Sequence, residues 1–120
     1  MDTAFHGAHH TTKHFMGFLA TKPDSQKAFH LFMTGYTKGR SSWMDTFPVK
    51  ENLGTDGRDD QAAVMFVDIG GGMGQEAVAL KKRFPDLPGR FVVQDLTQIV
   101  SKHNLDAEIE SMAHDFFTPR

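Results

Sequence analysis

Along the chain, apolar positions first recur at helical spacing and then gather into short runs of strand length. In Thr11–Ala20 (TTKHFMGFLA), Phe15, Phe18 and Leu19 share one face, which predicts a short helix capped by Thr11 or Thr12. Lys22-Pro23-Asp24-Ser25 interrupts it: Pro23 is a breaker, and Asp24 or Ser25 is the next N-cap. Over Gln26–Thr37 a stripe of Ala28, Phe29, Phe32, Met33 and Tyr36 predicts a second helix, and such a stripe is ordinarily packing surface. Ser41–Phe47 predicts a shorter helical piece stopped by Pro48. Lys50–Gln61 (KENLGTDGRDDQ) is polar, charged and glycine-containing, as a linker or surface loop is.

The period then changes. Ala63–Ile69 (AVMFVDI) is a mostly apolar run of strand length. Gln75–Phe84 carries Ala77, Leu80 and Phe84 at helical spacing, and Pro85 closes it. Phe91-Val92-Val93 follows Gly89 and ends in Gln94-Asp95. Thr97–Asn104 reads as a helix, and Ile109–Phe117 as a third strand running into a turn. Strand, helix, strand, helix, strand is a βαβαβ order, which predicts an α/β fold with a parallel sheet and crossover helices. The expected layout is a helical segment over residues 1–48, a linker over 49–62 and half of a Rossmann-like sheet over 63–120.

Composition narrows the function classes. A chain of 120 residues is one domain at most. Its net charge of −2 supplies no electrostatic reason to expect nucleic acid. The one tight basic cluster, Lys81–Arg83, falls at the end of a predicted helix, where cations suit the dipole. The absence of cysteine excludes disulfides and thiolate sites and fits a reducing, cytoplasmic setting. The N-terminal MDTAFHGAHH has no basic region followed by an apolar core, and no apolar run approaches the roughly 18 residues of a membrane span.

The chemistry concentrates in Val67–Asp86 (VDIGGGMGQEAVALKKRFPD), where Gly70, Gly71, Gly72 and Gly74 follow the first predicted strand. A phosphate-binding P-loop needs a Gly-Lys-Ser/Thr ending, and Gly74-Gln75-Glu76 lacks it. A dinucleotide fingerprint is met by Gly70 and Gly72, but Gln75 stands where the third glycine belongs. That third glycine lets a helix N-terminus come close under a pyrophosphate. A ligand with adenosine and no phosphates needs instead room for its amino-acid portion beside the strand end, where glycines remove side chains. Asp95, about twenty residues further on at the end of the second strand, is placed to accept both ribose hydroxyls. Asp115 and Phe116 follow the third strand, where a carboxylate can accept from an adenine amino group and a ring can lie against the base. Three ligand-facing strand ends in this order point to S-adenosylmethionine.

Val67–Gly74 resembles motif I of class I S-adenosylmethionine-dependent methyltransferases. With Ala28–Pro48, Phe84–Leu96 and Met112–Pro119, the chain is similar to the O-methyltransferases of fungal secondary metabolism, relatives of the plant caffeate and flavonoid enzymes. The resemblance implies that Gly70, Gly71, Gly72 and Gly74 contact S-adenosyl-L-methionine, that Asp95 holds its ribose and that Asp115 with Phe116 holds its adenine. It implies a small phenolic or polyketide acceptor. It further implies a preceding dimerisation domain and, beyond Phe117-Thr118-Pro119, further strands with a His-Asp-Trp segment whose histidine is the base. On that comparison the chain is truncated at both ends and inactive alone.

His114-Asp115 mimics part of that segment, but Phe116 stands where the family has Trp, so no catalytic residue is assigned. His6, His10 and His14 recur every fourth position, yet Gly7 and Thr11-Thr12 break a helix there, and no metal is assigned. His30 and His103 read as surface helix residues, and Trp43 as a core or cleft residue. Half a Rossmann sheet leaves faces and edges uncovered, which predicts an oligomer or association with something larger. Besides the enzyme, two other classes fit: a non-catalytic partner of a complete methyltransferase or other pathway enzyme, and a non-methylating enzyme that uses the cofactor's positive charge.

Overall fold

The computed structural model describes residues 3–36, 38–54 and 60–119. Thr37 at the end of the second expected helix, residues 55–59 of the expected linker, and Arg120 lie outside the described residues. Two compact units form, Met1–Ser42 and Trp43–Arg120.

The first unit holds α1 (Ala4–His9), α2 (Phe15–Leu19) and α3 (Pro23–Tyr36). Gly7 does not break the first helix. Thr3 and His6 close a reciprocal capping box, which satisfies amides at the helix start, and His10 ends it with a left-handed φ of 48°. Neither Thr11 nor Thr12 caps α2; the His14 ring accepts from the Gly17 amide in that role. Pro23 opens α3 rather than breaking it. A proline lacks the N–H that a first helical residue leaves unused, and the Lys22 carbonyl accepts from Gln26 at 2.8 Å. Phe5, Phe15, Phe18 and Phe29 meet edge to face at centroid distances of 5.4–5.7 Å.

The second unit opens with a 3₁₀ turn at Trp43–Asp45 and then α4 (Val49–Leu53), which forms just after Pro48 where a loop was expected. The apolar Val49 explains it, because it is buried in the core. Next come β1 (Val64–Ile69), α5 (Gln75–Arg83), β2 (Arg90–Asp95), α6 (Thr97–Val100) and β3 (Ile109–Ala113). The sheet order is β1-β2-β3, parallel throughout, with Phe66 opposite Phe91 and Phe91 opposite Ile109. Alternation sends Phe66, Phe91, Val93 and Ile109 to one face, where Ala77 and Leu80 of α5 pack against them. The other face carries Val67, Val92, Gln94 and Met112, which line a groove with His114. Arg90 donates bidentately to Glu110 there, at 2.7 Å for each contact. Among the described residues, no helix is long and apolar enough to cross a membrane.

Candidate cofactor site at the strand ends

β1 ends at Ile69, and the chain turns through Gly70–Gly74 into α5. Gly70, Gly72 and Gly74 hold φ of 72°, 57° and 79°, a region closed to most side chains. The Gln94 carbonyl of β2 accepts from the Gly70 amide at 2.8 Å and the Gly71 amide at 3.1 Å. Gly74 donates to the Gly71 carbonyl at 2.9 Å. These bonds tie the turn to the neighbouring strand.

The four glycines serve different ends. A Cβ on Gly71 would stand 2.7 Å from Asp68 Cγ and 2.9 Å from Val93 Cγ1, so this position is bare for internal packing. Internal packing is thus a sufficient reason for glycine at this position, beside the room for a ligand that the sequence suggests. A Cβ on Gly74 would meet Leu105 at 3.0 Å, which again is packing. Gly70 and Gly72 face open space, with only Phe116 Cε1 and Gln75 Oε1 at 3.9 Å from their Cβ positions. A side chain at either position would enter open space rather than the packed interior.

Asp95 stands at the end of β2, as expected, but engages the turn itself: Oδ2 accepts from the Gly72 amide at 2.8 Å and Oδ1 from the Leu96 amide at 2.7 Å. Phe116 lies beside Gly70, more than half exposed. Asp115 forms a turn of its own, its Oδ1 accepting from the Phe117 amide at 3.0 Å. The structure thus gathers Gly70, Gly72, Asp95 and Phe116 around one turn and places Asp115 in the Asx-turn that follows β3.

Three contributors escape the sequence reading. Burial, helped by the nearby charges of Glu76 and Asp95, pushes the Asp68 carboxyl up from its ordinary value. Glu76, in the first turn of α5, accepts from Trp43 Nε1 at 2.9 Å, while the Trp43 ring lies parallel to Phe66. Trp43 is therefore a half-buried brace of the helix start. His103 lies beyond α6 and is no surface helix residue: its ring bridges the Gly72 carbonyl and the Ser111 hydroxyl. No signal in the sequence links His103 to a turn 31 positions earlier. Asp68 and Glu76 flank the glycines, and that adjacency is the signal that could have found them.

No family model matches the chain. The demethylsterigmatocystin 6-O-methyltransferase of Aspergillus parasiticus is 49% identical over 79 residues, covering 66% of this chain and 20% of that protein. The O-methyltransferase lepI of Aspergillus flavus is 35% identical over 122 aligned positions, covering 99% and 31% respectively. A solved structure of LepI in complex with SAM superposes with a TM-score of 0.78 at 36% identity, covering 99% of this chain and 30% of that one. The chain spans less than a third of each of these three proteins. The alignment takes in nearly the whole chain, helices, glycine turn and strand ends alike, and its homologues are fungal O-methyltransferases, of which it matches a part.

Proposed function

We propose that the Gly70–Gly74 turn binds S-adenosylmethionine and that the chain serves methyl transfer to a small phenolic acceptor. One observation carries this reading: Asp68, Glu76 and Asp95 stand around the turn, where burial first, and then the charges of Glu76 and Asp95, raise the Asp68 pKa. A dinucleotide would have to seat its pyrophosphate at the start of α5, against that field. A ligand joining adenosine to a sulfonium cation is attracted by the same three carboxylates. The open positions at Gly70 and Gly72 give it room beside the strand end.

When bound, S-adenosylmethionine supplies an electrophilic methyl group. The chain's own residues orient it. Asp95 is held by two backbone amides and keeps lone pairs for ribose hydroxyls. Phe116 offers a ring face to the base beside Gly70. Asp115 uses Oδ1 in its turn and keeps Oδ2 for the adenine amino group. Support for a phenolic acceptor comes from the sterigmatocystin-modifying relative. His114 shares its groove with Val92, Gln94 and Met112, on the sheet face opposite Phe91 and Val93, and is not placed as a base for the cofactor turn. The chain alone is therefore expected to bind and not to turn over. Among the described residues β1 and β3 are the edges of the sheet, which favours association with a second copy or with a complete methyltransferase. The cysteine-free composition fits the cytoplasm.

Calorimetric titration tests the reading. Heat with S-adenosylmethionine and none with NAD is the expected result. A folded sample that takes NAD and ignores S-adenosylmethionine would restore the dinucleotide alternative. In a labelled-methyl assay over phenolic polyketides the chain should stay silent, and activity that appears only on mixing with a complete methyltransferase would make it a partner.

A further inference from the structure

We propose that His103 is a positioning residue for the cofactor turn. It sets the Gly72–Met73 peptide plane so that the Met73 amide is presented to the amino-acid carboxylate of an S-adenosyl ligand. The inference rests on the ligand reading above.

Gly72, at φ 57°, is the point where the turn is easiest to rearrange, because a glycine crosses between backbone regions at little steric cost. Both peptide units flanking it are nevertheless pinned. Asp95 Oδ2 accepts from the Gly72 N–H at 2.8 Å, and His103 Nε2 lies 2.6 Å from the Gly72 oxygen. A carbonyl oxygen only accepts, so Nε2 carries the proton. The remaining nitrogen, Nδ1, lies 2.8 Å from Ser111 Oγ; in the neutral ring it accepts from that hydroxyl. Ser111 stands on β3 and Asp95 ends β2, so two strands hold one glycine from both sides.

The consequence falls on the next residue. The described chain has no cis peptide, and in a trans peptide the N–H points opposite to the C=O. With the Gly72 carbonyl turned to His103, the Met73 N–H is turned away from it. Gly70 and Gly71 donate to Gln94, Gly72 to Asp95, and Gly74 to Gly71. Among the described residues Met73 N–H has no acceptor, and Met73 is exposed. Asp68, Glu76 and Asp95 welcome a sulfonium but repel the carboxylate of the same ligand. That carboxylate needs a donor of its own, and a fixed backbone N–H makes a charge-assisted bond to it.

The test compares two ligands on the whole chain: S-adenosylhomocysteine, and methylthioadenosine, which is the same nucleoside thioether without the amino-acid portion. His103→Ala is expected to weaken the first by about tenfold and to leave the second within about twofold. His103→Gln carries an amide nitrogen that can donate to the Gly72 oxygen and should recover most of the loss. Ser111→Ala leaves the ring in place and should show the same ligand-selective loss at smaller size, so the outcome does not hang on one variant folding. Equal losses for both ligands, no loss at all, or no rescue by Gln in a variant that melts like wild type would each overturn the role of His103. Wild-type chain that binds neither ligand would instead overturn the ligand reading, and this inference with it.

Discussion

The two units of the chain are built from different kinds of contact. In Trp43–Arg120, residues distant in sequence meet: Val49, Leu80, Phe91, Val93 and Ile109 close one core, with Phe91 wholly buried. In Met1–Ser42 the contacts are local aromatic edges, Leu19 is the one buried hydrophobic residue among those described, and α3 leaves Leu31, Phe32, Met33 and Tyr36 exposed. Parallel strands need crossover connections that pack back on the sheet, so the pattern is enforced by packing. Short helices stapled by rings carry no such requirement, and most helical stability comes from tertiary burial. Stability should therefore reside in the second unit, and its strand ends should be the rigid platform for a ligand.

Phe91→Ala breaks the comparison hardest. Truncating a fully buried ring costs about 3–5 kcal/mol, most of the margin of a small domain, so the cooperative denaturant transition should be lost or nearly so. Gly71→Ala comes next at about 1–3 kcal/mol, because the new methyl meets Asp68 and Val93 below 3 Å. Its melting temperature should fall even without ligand, which separates packing from a role in binding.

Asp68→Asn should have the opposite sign. Burial first, then Glu76 and Asp95, raise the Asp68 pKa above its unfolded value, so the folded state favours the protonated form. That contribution is present below the ordinary carboxylate pKa and is lost as pH rises through the raised value. At neutral pH the neutral isostere should be the more stable protein, by under about 1 kcal/mol given solvent screening, and the gap should close on acidification. Equal melting curves at neutral pH would mean that neither burial nor the neighbouring carboxylates penalise the Asp68 charge. The smallest effect is Phe32→Ala, expected within about 0.5 kcal/mol because the ring is 62% exposed. A loss as large as that of Phe91→Ala would erase the distinction between the units.

The same contrast governs what the sequence revealed. β1, α5, β2 and β3 lie where the apolar spacing places them, within a residue at the helix and strand starts, because those side chains face a core. α6 is shorter than Thr97–Asn104, and the residues past Val100 are drawn off to other partners, His103 to Gly72 and Leu105 to the core edge. α1 and α4 were hidden by composition: Gly7, and the glycines and charges of KENLGTDGRDDQ, argue against helix locally, while a capping box and the burial of Val49 decide for it. At the site, glycine positions and Asp95 were legible from motif spacing. The packing work of each glycine was not, since only the fold shows that a Cβ on Gly71 would strike Asp68 and Val93.

The carboxylates around the turn are expected to select a cation. S-adenosylmethionine and S-adenosylhomocysteine differ by the methyl group and its one positive charge, so their affinity ratio isolates that term. Measured by calorimetry at low ionic strength, Asp68→Asn should shift the ratio against S-adenosylmethionine by about threefold to tenfold while the homocysteine product binds nearly as before. A ratio unchanged by the substitution, or shifted towards S-adenosylmethionine, would contradict the account.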